Sequence, residues 1–314
     1  MSDTNIPENE TTEKKEESID IVSVDNSEDS VNSESSSTSE ETTENTTKKP
    51  AKRDLIRYIV MGVSLVVFIV SVSMLIYYIT QYGKSQKIYN DLNEEVLETT
   101  ENNTTEFVDD ESNEYVFEIT NTVDFEYLKS INPDCIAWIS FPILGIEYPI
   151  VQCEDNEYYL THSYNNVETW SGSIYMDYRN TPDCTDRHTI IYGHNMQDGS
   201  MFNKLLKYDK ESFHKKHEGE NYFYIYLENG VNVYEVYSTI DADVSKNQIP
   251  FSIKSLDKYS LEEYESEIKS LQDYSTGVKL SADDKLMTLL TCEEDSTSQV
   301  RHLVIGKYIT TLEY

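Results

Sequence analysis

Glycine is scarce, with 10 in 314 residues, and no GxGxxG or GxxxxGK run occurs. A phosphate-cradling nucleotide loop is therefore excluded. Four cysteines are too few for a disulfide-stapled scaffold, and none forms a CxxC pair of the structural-zinc kind. Positive charge is short as well: 25 Lys and Arg stand against 58 Asp and Glu, for a net charge of −33. Such a surface repels phosphate backbones and excludes a nucleic-acid binder. What is present suffices for one proper core, since 38% of the chain is hydrophobic. The length allows about two domain-sized units at roughly 150 residues each. The 25 tyrosines suit a strand-rich domain.

The charge is unevenly spread. Residues 1–47 hold 14 acidic and 2 basic side chains among Ser, Thr and Asn, with no apolar period. This segment cannot bury enough surface to offset ordering entropy and is expected to be a disordered cytoplasmic tail. Residues 48–83 follow as a basic flank and a membrane span. Lys48, Lys49, Lys52, Arg53 and Arg57 precede Tyr58–Ile79, 22 residues without a charge. As a helix that run measures about 33 Å, enough for a hydrocarbon core of about 30 Å. Tyr58 at one end and Tyr77, Tyr78 and Tyr82 at the other fit interfacial aromatic belts. The run is too long and too far from residue 1 for a cleaved signal peptide. The excess of basic residues before it puts the N-terminus in the cytoplasm and the bulk of the chain outside a single-pass cell-membrane anchor.

Residues 84–115 are acidic, with Asn102-Asn103-Thr104-Thr105 in the middle, and are expected to form an extracytoplasmic stalk with a short helix around Leu92 and Val96. Residues 116–314 have the composition of a folded domain. Short apolar runs mark strands at Trp138–Phe141, Tyr148–Val151, Ser173–Met176, Thr189–Tyr192, Tyr222–Leu227, Val231–Tyr237, Lys285–Thr291 and Leu303–Ile309. Glu228-Asn229-Gly230 is a hairpin signal. Helices are few. One short helix is expected at Ser200–Tyr208. A second starts at Ser260, where Glu263 completes a capping box and Leu261, Tyr264, Ile268 and Leu271 follow at helical spacing. Many short strands with two inserted helices indicate a mainly β, closed or nearly closed barrel.

Six histidines and four cysteines are the candidate reactive groups. His214 and His217 sit among Lys and Glu and read as surface residues. His162, His188 and His302 read as structural. His194 differs, because it directly follows the apolar run Ile190-Ile191-Tyr192-Gly193. A strand end is a rigid platform that still reaches solvent, which a catalytic base needs. Cys135, Cys153 and Cys184 read as small, partly buried hydrophobes, with a disulfide among them as the alternative. Cys292 terminates Thr288-Leu289-Leu290-Thr291, and Arg301 opens the last strand after a polar loop. A cysteine is a nucleophile as the thiolate, which a neighbouring imidazolium favours, and a guanidinium can hold a developing oxyanion. These three residues thus make a plausible acyl-transfer site.

Thr288-Leu289-Leu290-Thr291-Cys292, with Arg301 nine residues on, resembles the TLxTC…R signature of sortases. Ile190–Met196 with Asp198-Gly199-Ser200-Met201-Phe202 resembles the histidine segment of class B sortases. Ile131–Asp134 before Trp138-Ile139, Tyr148–Gln152 before Asp155–Leu160, and Ser171–Asn180 agree with it in order. The helix near 260–272 resembles the inserted helix of class B.

The resemblance implies a sortase-like closed β-barrel and a membrane-anchored cysteine transpeptidase that uses no metal or other cofactor. Its partners would be secreted surface proteins bearing a C-terminal sorting signal, of the NPxTx or (S/P)PxTG-like kind, cleaved after Thr. The acceptor would be the cross-bridge amine of a peptidoglycan precursor, lipid II. Cys292 would be the nucleophile, His194 the acid and base, and Arg301 the oxyanion and substrate clamp. Leu290 departs from the small polar residue usual at the middle of the signature. With Thr291 and Glu293 it is expected to bind substrate. Open alternatives are a pilin-polymerising transpeptidase using a Lys amine, a cysteine hydrolase, and a non-catalytic surface module.

Overall fold

The structure, a computed structural model, describes residues 52–108, 114–208, 210–217, 219–246, 260–292 and 299–313. The tail at 1–47, Lys48, Lys49 and Glu293 lie outside these residues. The first element is one long helix, α1 (Lys52–Val96), which carries the uncharged run and is long and apolar enough to cross a membrane. The helix continues past that run. Tyr89, Leu92 and Val96 are spaced three and four residues apart, so they share one face. All three are buried in the main core. The segment at 84–115, expected as a stalk, is therefore packed along its helical part. It goes on as β1 (Leu97–Val108), which pairs antiparallel with β2 (Glu114–Val123). Phe117 and Ile119 of β2 join the same core.

A short helix α2 (Phe125–Ile131) follows, capped by the Asp124 carboxylate on the Tyr127 N–H. The barrel strands are β3 (Cys135–Phe141), β4 (Ile146–Val151), β5 (Ile174–Met176), β6 (His188–Tyr192), β7 (Tyr222–Leu227), β8 (Gly230–Asp243), β10 (Leu286–Cys292) and β11 (Val300–Leu312). Their order around the barrel is β11-β10-β6-β5-β4-β3-β7-β8, and a β11–β8 pairing closes it. Closure removes free sheet edges. The expected mainly β, closed barrel with a few helices is thus the observed fold. The short β9 (Gln272–Ser275) pairs with the second half of β8.

Local signals account for the connections. Leu227 pairs with Gly230, so Glu228-Asn229 is the two-residue turn of the β7–β8 hairpin. The Ser200–Tyr208 stretch forms a 3₁₀ helix at Phe202–Lys207, and α3 (Glu211–Lys216) follows. Helix α4 (Leu261–Leu271) carries the full capping box: Ser260 Oγ accepts from the Glu263 N–H, and the Glu263 carboxylate accepts from the Ser260 N–H.

β10 has two apolar faces. Met287 and Leu289 point into the main core. Leu286 and Leu290 join Ile190, Leu303, Tyr264 and Ile268 in a second cluster beneath α4. Both faces of β10 are covered, which explains a continuous apolar run in place of an alternating one.

Candidate active site

Register brings the distant residues together. β10 runs parallel to β6, with Leu290 opposite Tyr192, and antiparallel to β11, with Cys292 opposite Arg301. The C-terminal ends of β6 and β10 and the N-terminal start of β11 therefore lie side by side at one end of the barrel. Gly193 extends the β6 contact by donating its N–H to the Leu290 carbonyl oxygen at 3.1 Å. His194 comes next in the chain. Glycine is required at 193, because a Cβ there would lie 2.5 Å from the Ile174 side chain and 2.6 Å from the Phe202 ring. The backbone passes between these two groups and delivers His194 beyond them.

The His194 ring is partly buried, and its Nε2 lies 2.7 Å from the Leu160 carbonyl oxygen. The His194 carbonyl accepts from the Phe202 N–H at 3.0 Å. A bridge between Asn195 and Met201 closes the loop that follows. Inside that loop Asp198 Oδ1 accepts from the Ser200 N–H and hydroxyl, and Asn203 Nδ2 donates to Asn195 Oδ1. The histidine is thus held by β10 on one side and by two closed loops on the other.

Arg301 is partly buried, with its Cα opposite Ala242 of β8 as well as Cys292, and one guanidinium N–H reaches the Val300 carbonyl. Leu290 is 8% exposed and packs in the second cluster, against which Tyr192 leans. Thr291 is buried, and its Oγ1 has no hydrogen-bond partner among the described residues.

A carboxylate hub not foreseen from sequence sits behind Tyr192. Asp177 is fully buried just past β5. It accepts from Tyr192 Oη at 2.8 Å, Asn156 Nδ2 at 3.0 Å, and Arg179 Nε and Nη2 at 2.8 and 2.7 Å. Burial alone would raise the Asp177 carboxyl, but the donors from Arg179, Tyr192 and Asn156 outweigh it and hold the group below its usual range. The hub fixes the last residue of β6, two residues before His194. Its only sequence signal was the Asp177-Tyr178-Arg179-Asn180 run after a strand.

The other reactive groups are structural. His188 Nε2 bonds Thr288 Oγ1 at 2.8 Å across β6 and β10. His302 is buried between Asp241 and the Leu205 carbonyl. His162 stacks on Tyr158. His214, expected at the surface, is instead buried. Its Nε2 donates to the Tyr208 carbonyl, the ring stacks on Tyr274, and burial lowers its basicity. The polar neighbours in sequence misled because α3 turns that one residue inward. Cys135, Cys153 and Cys184 are free thiols, so the disulfide alternative does not hold for them.

The barrel closes over eight strands, and register sets the strand ends that carry Cys292, Arg301 and the lead into His194 side by side. The Sortase domain family model matches residues 139–309, more than half of the chain. Sortase B of Listeria monocytogenes is 36% identical over 184 residues, covering 58% of this chain and 73% of that protein. A class B sortase of Streptococcus pyogenes involved in pilus biogenesis superimposes with a TM-score of 0.54 at 31% identity, covering 60% of this chain and 98% of that one. Sortase B of Clostridium perfringens gives 0.53 at 30% identity, covering 60% and 100%. The chain belongs to the sortase family, the cysteine transpeptidases, and to its class B.

Proposed function

We propose that this sortase is anchored by Tyr58–Ile79 as a single-pass membrane protein with its N-terminus cytoplasmic, and that it attaches secreted proteins to the cell wall. By this reading residues 1–47 are the cytoplasmic tail and the barrel is extracytoplasmic. Its substrate carries a C-terminal sorting motif of the NPxTx or (S/P)PxTG-like kind. Its acceptor is the cross-bridge amine of lipid II.

The carrying observation is the cross-strand pairing of Cys292 with Arg301, beside the β6 end that leads into His194. Cys292 Sγ, as thiolate, attacks the carbonyl carbon of the motif's Thr. Arg301 holds the oxyanion that forms. The scissile C–N bond breaks, its nitrogen takes a proton from His194, and a thioester to Cys292 remains. The incoming amine gives a proton to His194, attacks the thioester and expels the thiolate. A carbonyl oxygen can only accept, so the bond to Leu160 puts a proton on Nε2 and leaves Nδ1 to exchange protons. Leu290 and Thr291 are covered, so they would act on substrate by shaping the packing beneath the end of β10.

The pilus-associated relative supports a second reading, a transpeptidase that joins pilin subunits through a Lys amine. One experiment separates these readings and also a hydrolase. The piece spanning residues 84–314 is incubated with quenched-fluorophore sorting peptides and with a glycine, diaminopimelate-type or Lys-containing pilin amine, and products are weighed. Cleavage that needs Cys292 and yields product on a cross-bridge amine supports wall anchoring. Product on the pilin Lys alone favours polymerisation. Free acid in every arm identifies a hydrolase. No cleavage of any peptide overturns the enzymatic reading of these residues.

A further inference from the structure

The barrel meets α1 at an aromatic cluster. Trp170 lies 5.5 Å from Tyr77, 5.1 Å from Tyr78 and 6.3 Å from Tyr82, ring centre to ring centre and each edge-on. Trp170 is 40% exposed, whereas Trp138 is fully buried. Its exposure is built in, because its chain neighbours Thr169 and Ser171 are both buried. The loop is pinned on either side: the Lys84 ammonium donates to the Glu168 carbonyl, and Tyr89 Oη donates to the Gly172 carbonyl at 2.7 Å. A loop this well held presents its largest apolar side chain half-exposed beside the tyrosines of α1.

The position along α1 identifies the partner. Tyr77 and Tyr78 are the last residues before Ile79, where the apolar run gives way to Thr80-Gln81. At 1.5 Å per residue, the backbone of both lies within about 3 Å of that end, and the Trp170 ring packs against their rings. The polar boundary of a bilayer is several ångströms thick, and Trp and Tyr concentrate in it. We propose that Trp170 is a second membrane contact: it inserts with Tyr77 and Tyr78 into the headgroup boundary of the outer leaflet and seats the barrel directly on the membrane. This rests on the reading of Tyr58–Ile79 as the membrane span. The loop that carries Trp170 begins next to Leu160, whose carbonyl oxygen holds His194. The proposed membrane contact and the carbonyl that holds His194 thus lie within ten residues of each other in the chain.

The two tryptophans provide the test. The full chain is reconstituted in phosphatidylcholine–phosphatidylglycerol vesicles containing lipids brominated near the glycerol end of the acyl chains, and flotation is measured first. Wild-type emission is expected to fall by roughly half, because one of two tryptophans is reached. Trp170→Phe is expected to float equally, to keep the blue emission of buried Trp138, and to lose the quenching. Floating protein whose emission is the same with and without bromolipid overturns the second contact and leaves the anchor intact. Equal quenching of wild type and Trp170→Phe overturns the second contact as well. Protein that does not float overturns the anchor, and the proposal with it.

Discussion

His194 Nε2 and the Leu160 carbonyl oxygen are hydrogen-bonded at 2.7 Å, across 34 positions of sequence. Gly172 packs against that carbonyl: it adopts φ +53° and lies so close that a Cβ there would sit 2.4 Å from the Tyr159 oxygen and 2.6 Å from the Leu160 oxygen. Gly172→Ala must push the Leu160 carbonyl away and loosen His194. The expected result is a fall in kcat of about tenfold, which is about 1.4 kcal/mol, with KM little changed. The imidazole ¹⁵N shifts of His194 should move from one tautomer toward a mixture. Unchanged shifts with reduced kcat would mean that the loop acts by some route other than the histidine.

Much of the fold is legible in the amino-acid sequence. Ser260 with Glu263, the Glu228-Asn229 turn and the apolar runs ending at Tyr192 and Cys292 each mark an element through local chemistry. The candidate site is read from residue type at strand ends, and register sets Cys292 opposite Arg301 and Leu290 opposite Tyr192, two residues before His194. What is not legible depends on backbone atoms or distant packing. The Leu160 carbonyl carries no side-chain signature. The docked stripe Tyr89, Leu92 and Val96 is hidden among Asn and Glu. Strand β1 is written largely in Glu, Thr and Asn, of which only Thr favours strands when read alone.

Thiol labelling isolates the nucleophile. Burial pushes the Cys135 and Cys184 thiols up to about 12, and Cys153 is raised as well by its partial burial. None of these three offers appreciable thiolate at about pH 7. Iodoacetamide on the native protein should therefore give one adduct, on the peptide containing Cys292, and Cys292→Ala should give none. Comparable labelling of Cys153 would contradict the assignment of Cys292 as the reactive thiol.

Asp177 ties acid stability to the geometry of the site. Its folded value is depressed, so its contribution is complete above the unfolded carboxylate range and is lost as pH falls through the folded value. Asp177→Asn removes the charged acceptor that Arg179 and Tyr192 share. It is expected to cost about 2 kcal/mol near neutral pH. The gap between wild type and variant in urea unfolding should close as the pH drops below the usual aspartate range. A gap that persists unchanged in acid would show that the loss comes from packing, with the charge irrelevant.

The end of α1 is a structural part of the barrel, and truncation should reveal it. Tyr89, Leu92 and Val96 are at most 4% exposed, and Tyr89 also binds the Gly172 carbonyl. At roughly 1.5–3 kcal/mol for each buried side chain, removing them forfeits on the order of 5 kcal/mol. That is a large share of the roughly 5–15 kcal/mol that holds a domain folded. For a domain of this size each kcal/mol moves Tm by about 2–4 °C. A piece beginning at residue 98 should therefore melt about 15 °C below one beginning at residue 84. Tyr89→Phe in the longer piece should cost only about 1 kcal/mol, the net value of one hydrogen bond. The Gly172 carbonyl it frees lies in the loop that steadies His194, so Tyr89→Phe should also lower kcat in the same direction as Gly172→Ala. Equal melting of the two pieces would mean that the helix is a passive tether, and an unaltered kcat in Tyr89→Phe would break the link between helix docking and the histidine.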